Sequence, residues 1–292
     1  GYSQLIELFE KHDINIYSKD ENGWNILDFA SYYLHPELEE LLLKKGLKKT
    51  GKININKMTF TDNPANGEAR IFYTGHSGWV VETSKRYLVF DYYTYMDAPE
   101  KPSLYNGNID LKKLKDKPKY VFVTHSHRDH HDTIIYQWEN KAKDIRYIFG
   151  WKAHNNSDYF YFDKPFLEKN LGDMVIRNVK CEDGGSAFLI HVDGLSVYHS
   201  GDYTGNLKKD IPYLSSFQGK VDIAFLGLGY PEVTNYTLSK LKPHWTFPMH
   251  KRFKEYEYTE FKNQISNKYS GTQIIPVKNK GDRFFFRTEN PQ

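Results

Sequence analysis

The sequence predicts a layered α/β domain preceded by a small helical segment. Three features carry that prediction. The first fifty residues place apolar side chains at helical spacing. From Lys52 onward, short β-rich runs separated by turn residues are interleaved with a few helices, the pattern of sheets covered by helices. Finally, three turns rich in histidine or aspartate each follow an apolar run, and side chains gather this way where parallel strands end at one edge of a sheet.

The totals bound the answer without deciding it. At 292 residues the chain suits one large domain, or one with a small appendage. Apolar residues at 39% and charged residues at 26% lie in the globular range. No apolar run reaches membrane-spanning length, and nothing at the start resembles a signal peptide. The first residue is Gly1, so a chain complete as it stands is expected in the cytoplasm, and one trimmed of an N-terminal signal outside it. A single cysteine, Cys181, excludes an internal disulfide and a cysteine-rich zinc site. A net charge of +3, dispersed along the chain, gives no reason to expect nucleic acid.

Ser3-Gln4-Leu5-Ile6-Glu7-Leu8-Phe9 has the apolar spacing of a helix. A second helix is expected after the turn Glu21-Asn22-Gly23, and a third over Pro36 to Lys45, with Gly46 as its C-cap glycine. This order of turn, short helix, loop and helix resembles an ankyrin repeat, with Asn25-Ile26-Leu27-Asp28 where that repeat has Thr-Pro-Leu-His. About one and a half repeats are present, and such stacks need roughly three to stand alone. Residues 1–50 are therefore expected to be an ankyrin-like segment, a structural cap or a docking place for a protein partner, and residues 51–292 the main domain.

Within that domain Ile71-Phe72-Tyr73, Trp79 to Glu82 and Tyr87 to Phe90 read as strands, divided by Gly75, Gly78 and Ser84-Lys85. Tyr120-Val121-Phe122-Val123 is a buried strand, and Thr133 to Trp138 opens a helix. Further strands are expected at Met174 to Ile176, Ala187 to Val192, Ser196 to Tyr198, Ile223 to Leu226 and Trp245 to Phe247, with a helix at Tyr236 to Leu241.

Between the strand at 120–123 and its helix lies Thr124-His125-Ser126-His127-Arg128-Asp129-His130-His131-Asp132, which holds four of the twelve histidines. Imidazoles and carboxylates concentrated at a strand-to-helix turn are what a metal site requires, because rigid elements on both sides aim the ligands. Two later turns match the same plan: Tyr198-His199-Ser200-Gly201-Asp202 and Phe247-Pro248-Met249-His250. Either alone would read as an ordinary turn. As a set they describe one metal site.

These pieces, with Gly75-His76-Ser77-Gly78, the strand ending at Asp91, and Val221 to Leu226, run in the order of the metallo-β-lactamase-fold hydrolases. Over roughly residues 53 to 292 the chain resembles that family, in the branch of ascorbate-phosphate lactonase-like enzymes. The resemblance implies an αββα four-layer sandwich with metals at one edge of its two sheets. It implies that His125 and His127 bind a first ion, Asp129, His130 and His250 a second, and that Asp202 bridges both. Two divalent ions, zinc first with manganese or iron as alternatives, would share a water, lower its pKa toward 7 and deliver it as hydroxide. Asp129 or Asp202 would accept the proton.

One position departs from the family. Where a further histidine is usual, this chain has Cys181-Glu182-Asp183-Gly184-Gly185. Asp183 is the leading substitute, a hard oxygen ligand ahead of two glycines, followed by Glu182 and Cys181. His76 is expected to orient substrate or stabilise an oxyanion, and Asp132 to cap the following helix and steady His130. His131 and His199 are read as neighbours of the ligands, while His154 and His244 are structural or on the surface. His12, His35 and His191 carry no signal. Tyrosines after Asp91 could line the pocket mouth, Asp158 to Phe162 could form a lid, and Lys251-Arg252 could hold an anion, although packing and solvated charge are the ordinary explanations. The expected activity is hydrolysis of an ester, lactone or amide in a small or medium-sized substrate. A phosphodiesterase or nuclease is the alternative, and a non-catalytic binding module the third.

Overall fold

The computed structural model describes residues 2–19, 25–32, 36–50, 63–94, 101–153, 155–181, 183–216 and 221–288. The chain divides into two units, Gly1–Asn63 and Pro64–Gln292. The boundary expected at residue 50 borders a stretch, 51–62, that lies outside the described residues.

The first unit holds α1 (Tyr2–Lys11), α2 (Ile26–Tyr32) and α3 (Pro36–Lys44). Its small core gathers Ile6, Leu27, Leu38, Leu42 and Leu47. The departure at Asn25-Ile26-Leu27-Asp28 has a clear local role. Asn25 Oδ1 accepts the Asp28 backbone N–H at 3.0 Å and Asp28 Oδ2 accepts the Asn25 N–H at 2.9 Å, a reciprocal cap on α2. Asp28 Oδ1 also accepts the Thr50 N–H at 3.0 Å.

The second unit is built on two seven-stranded sheets. In chain order the strands are β1 (Glu68–Gly75), β2 (Gly78–Glu82), β3 (Tyr87–Phe90), β4 (Lys119–Val123), β5 (Ile145–Phe149) and β6 (Phe160–Tyr161) of the first sheet. They are followed by β7 (Glu168–Leu171), β8 (Met174–Lys180), β9 (Ser186–Val192), β10 (Leu195–His199), β11 (Ile223–Gly227), β12 (Trp245–Met249) and β13 (Gln273–Ile274) of the second. Finally β14 (Arg283–Arg287) returns to pair antiparallel with β1. In the first sheet β3, β4, β5 and β6 run parallel. In the second, β10, β11, β12 and β13 do.

Strand alternation divides the apolar side chains between two cores. Phe188 and Ile190 of β9 join Trp79, Phe90, Phe122, Phe225 and Phe247 between the sheets, while Ala187 and Leu189 face the other way. Trp79 stacks on Phe225 with ring centroids 4.5 Å apart, tying one sheet to the other. Each such fully buried large side chain stabilises the fold by about 1.5–3 kcal/mol. The outward residues meet α4 (Leu207–Ser215), α5 (Pro231–Leu241) and α6 (Tyr256–Ile265) through Ile211, Leu214, Leu238, Leu241 and Ile265. This is the mixed α/β, two-sheet architecture that the sequence predicts.

Several elements differ from expectation. The helix expected from Thr133 is a 3-10 segment, Thr133–Trp138, as suits a run with two β-branched isoleucines after the threonine. α5 begins at Pro231, not Tyr236, because proline at the first helical position fits a helix start. The aromatic run at 158–162 is packing: Phe162 is buried in the core, and Tyr159 lies 5.4 Å from the ring of Phe149. Tyr92 is also buried; its hydroxyl accepts the Ile109 N–H at 3.0 Å and its ring lies 5.2 Å from that of Trp138. No helix among the described residues is long and apolar enough to cross a membrane.

Candidate metal centre

The ends of β3, β4, β10 and β12, together with the β1–β2 turn and the loop before β9, deliver the polar side chains to one place. The turn after β4 is pinned by a residue the sequence reading left without a role, Asp91, directly after β3. Its buried carboxylate accepts the Thr124 backbone N–H at 2.8 Å and the Thr124 hydroxyl at 2.7 Å. It also contacts His130 Nδ1 at 2.7 Å. One carboxylate therefore holds both ends of the 124–130 turn and fixes which nitrogen of His130 faces the centre, the usual arrangement behind a metal-ligating histidine. The expectation that Asp132 steadies His130 is corrected. Asp132 instead caps Thr133–Trp138 through the Ile134 N–H at 2.9 Å and accepts the Thr94 N–H at 3.0 Å.

His199 has a comparable task. Its Nδ1 accepts the Gly201 N–H at 3.1 Å, so its Nε2–H donates to the Ser77 carbonyl at 2.9 Å. It thereby connects the Asp202 turn to the turn that presents His76. Its fully buried ring stacks on Phe90 at 5.0 Å. His76 and His250 adopt left-handed backbone, with φ of 53° and 71°, and Asp91 has φ of 40°. Such conformations cost a non-glycine residue of order 1–3 kcal/mol each and persist where the surrounding structure enforces them. Here the enforcement includes the His250 N–H donating to the His76 carbonyl at 3.2 Å.

These turns bring together all eight site residues singled out in the sequence. His125, His127 and Asp183 form one group of possible ligands; His76, Asp129, His130 and His250 form another; Asp202 joins His125 and His130 between them. Asp202 Oδ1 is 3.2 Å from His130 Nε2, and its Oδ2 is 3.0 Å from His250 Nε2 and 3.7 Å from His125 Nε2. Asp183 turns Oδ1 back to the Gly185 N–H at 2.8 Å, which leaves Oδ2 3.7 Å from His125 Nε2. Cys181 is buried outside these groups, and Glu182 lies outside the described residues. Gly185 is required by space, since a Cβ there would come within 2.5 Å of the His125 Cβ.

His76 sits closer to the centre than its expected role required. Its Nε2 is 3.1 Å from Asp129 Oδ2, and its ring centroid is 4.2 Å from that of His250. Elsewhere, His131 contacts the Tyr136 hydroxyl at 2.8 Å and His244 lies 3.5 Å from Asp222, while His35 and His154 lie outside the described residues. Lys251 pairs with Glu257 at 3.1 Å, and the Arg252 guanidinium sits over the Phe253 ring at 4.8 Å, which accounts for both without an anion.

The donor set fits a cation. Both ring nitrogens of His76, Nε2 of His130 and Oδ1 of Asp202 are buried and make no hydrogen bond of good geometry. Buried polar atoms are rarely left this way. Electrostatics agree: burial disfavours charge on Asp202, yet His130 and His250 hold its carboxyl far below the usual range. The adjacent His76 imidazole does the same for Asp129. Burial also opposes charge on His130, but Asp91 and Asp202 outweigh it and raise its pKa to about 10, so positive charge is favoured at its Nε2, and an ion bound there would take the place of that proton. Burial pushes His76 and His125 down, toward the neutral form that can ligate. A cavity of about 360 Å³ opens beside His127, Asp183, Asp202 and His250.

Comparison with known proteins agrees with this fold. Residues 70–250 match the beta-lactamase superfamily domain. A UPF0173 metal-dependent hydrolase of Lysinibacillus sphaericus is 27% identical over 202 residues, covering 62% of this chain and 84% of that protein. The structure of Igni18, a metallo hydrolase from Ignicoccus hospitalis, superposes with a TM-score of 0.59 at 18% identity, over 76% of this chain and 100% of that one. CmlA, a diiron beta-hydroxylase from Streptomyces venezuelae, superposes with a TM-score of 0.53 at 12% identity, over 77% of this chain and 55% of its own.

Proposed function

Given that the chain belongs to the beta-lactamase superfamily and is a metal-dependent hydrolase, we propose that it holds two divalent ions and cleaves an ester, lactone or amide bond in a small or medium-sized substrate. The observation that carries this reading is the Asp202 carboxylate, within 3.7 Å of His125 on one side and within 3.2 Å of His130 on the other. His125, His127 and Asp183 would hold one ion, and His76, Asp129, His130 and His250 the other, with Asp202 shared. Zinc suits the histidine-rich group; the carboxylate of Asp183 hardens the first group and makes manganese or iron the alternatives. Bound there, such ions supply Lewis acidity and make a water acidic enough to ionise near neutral pH.

The remaining work falls to the chain. Asp91 keeps the His130 Nδ1–H engaged, so that Nε2 offers its lone pair to the centre. His199 keeps the His76 and Asp202 turns in register. Asp129, whose side chain is 41% exposed, is the most exposed carboxylate of the two groups and takes up the proton released on attack. Lactones stand among the substrates because of the resemblance to ascorbate-phosphate lactonase-like enzymes. The N-terminal helices, ankyrin-like in order, serve as a structural cap.

Metal analysis followed by add-back to stripped protein tests the proposal. Zn²⁺, Mn²⁺ and Fe²⁺ are each returned and assayed on a γ-lactone, an aryl ester and a bis-aryl phosphodiester. About two equivalents of metal and chelator-sensitive turnover of the ester or lactone are expected. Turnover of the phosphodiester alone would move the activity to a phosphodiesterase, and no turnover across the panel would favour a binding module.

A further inference from the structure

The cavity beside the metal centre has walls with a definite chemistry. Its far side comes from the end of β11 and the first turns of α5, with Leu226, Gly229, Tyr230, Val233 and Thr234 among the lining residues. Among the described residues it is lined by neither lysine nor arginine. Several of its hydroxyls are already committed within the protein. Thr234 Oγ1 donates to the Gly227 carbonyl at 2.8 Å, Ser200 Oγ donates to the Gly201 carbonyl at 2.8 Å, and the Tyr203 hydroxyl donates to Asp210 at 2.7 Å. The start of α5, which could otherwise attract an anion, is blunted, because Pro231 brings no N–H and Glu232 adds negative charge in the first turn. Asp183 and Asp202 line the side next to the metal centre.

From this lining we infer that the cavity receives an uncharged, largely apolar substituent of the substrate while the scissile bond lies at the metal centre, an inference that rests on the hydrolase reading above. At about 360 Å³ it lies toward the lower end of the range for small-molecule sites, about 300–1,000 Å³, which suits a short alkyl or aryl group. A carboxylate or phosphate held at the α5 side of the cavity would lose its hydration and find no lysine or arginine there to offset the loss. The preferred substrates are accordingly esters, lactones or amides whose side group is a neutral alkyl or aryl chain.

Gly229 provides the test. A Cβ built on it meets nothing within 4 Å, so a side chain can leave the backbone there without displacing a neighbour. Metal-loaded wild type, Gly229→Leu and Gly229→Phe are compared on 4-nitrophenyl acetate, 4-nitrophenyl hexanoate and the mono-4-nitrophenyl ester of adipic acid. Wild type is expected to show at least tenfold higher kcat/KM for the hexanoate than for the equally long adipate. The hexanoate-to-acetate ratio should fall about tenfold in Gly229→Phe and by less in Gly229→Leu, with metal content unchanged. Equal turnover of hexanoate and adipate, or a ratio that neither variant moves, would overturn the assignment. If no ester is cleaved, the hydrolase reading fails separately, and the cavity is then read by saturation-transfer NMR with hexananilide and its ω-carboxylate. Transfer to the neutral anilide alone, lost in Gly229→Phe, sustains the assignment. Absence of transfer in wild type, or equal transfer to the carboxylate, refutes it.

Discussion

Replacing Asp91 by asparagine isolates the contribution of a single buried carboxylate to the metal centre. Burial would raise the Asp91 carboxyl, but His130, His199 and His125 hold it below its usual value, so wild type carries a charge at this point. That charge serves three contacts: the Thr124 N–H at 2.8 Å, the Thr124 hydroxyl at 2.7 Å and His130 Nδ1 at 2.7 Å. An asparagine oxygen can keep the backbone N–H, and the Thr124 hydroxyl can rotate to accept from the new amide. No acceptor then remains for the His130 Nδ1–H. The loss is one charge-assisted hydrogen bond, about 1.5–3 kcal/mol. Changes behind a ligating histidine usually weaken metal binding 10–100-fold, which is about 1.4–2.8 kcal/mol at 1.4 kcal/mol per decade. The two ranges agree, so most of the loss is expected to appear in metal affinity. Competition with a chelator of known affinity measures it, beside an Asp132→Asn control, in which asparagine caps Thr133–Trp138 about as well as aspartate and metal affinity is expected to stay intact. Wild-type affinity in Asp91→Asn, or an equal loss of affinity in Asp132→Asn, would refute the assignment of Asp91 as the residue that fixes His130.

Three further outcomes are expected. Returning metal to stripped protein at 100 times its Kd should stabilise it by about 2.7 kcal/mol, a rise in Tm of roughly 5–10 °C for a unit of this size; a Tm independent of metal would argue against occupancy of the buried group. On the two-ion proposal, Gly185→Ala, which drives a Cβ toward His125, should release the ion of the His125–His127–Asp183 group while the second is retained, read as the metal-to-protein ratio. His191 lies apart from the ligand groups and titrates without them; burial and then Arg177 lower its pKa to about 4. Its unfolded pKa is about 6.5, so the unfolded chain binds the extra proton first, and stability should fall as pH drops from about 6.5 to about 4. Urea melts of His191→Gln across that window should show a flatter decline; an unchanged slope would dismiss the effect.

The sequence by itself determined the turns that carry the candidate ligands and the fold they belong to. His125, His127, Asp129 and His130 are near neighbours along the chain, and each ligand turn follows an apolar run whose alternation survives in the finished sheets. Short β-branched and aromatic strands are local statements, and local statements are legible. Only the tertiary structure decided how the turns meet. Asp91 reads as an ordinary strand-end aspartate until β3 lies parallel to β4 and brings its carboxylate under Thr124 and His130. His199 gains its meaning from Ser77, 122 residues away in the chain. His76 comes within reach of Asp129 only because the β1–β2 turn packs against the His250 backbone. Asp183 is one of three candidates in its loop, and only the folded turn, held by its own Oδ1, shows its other oxygen aimed toward His125. Direction and distance between side chains far apart in sequence depend on sheet order and backbone sign, and no periodicity in the chain encodes either. The same reason separates residue types from pocket: the cavity behind the metal centre exists only once α5 closes over the end of β11.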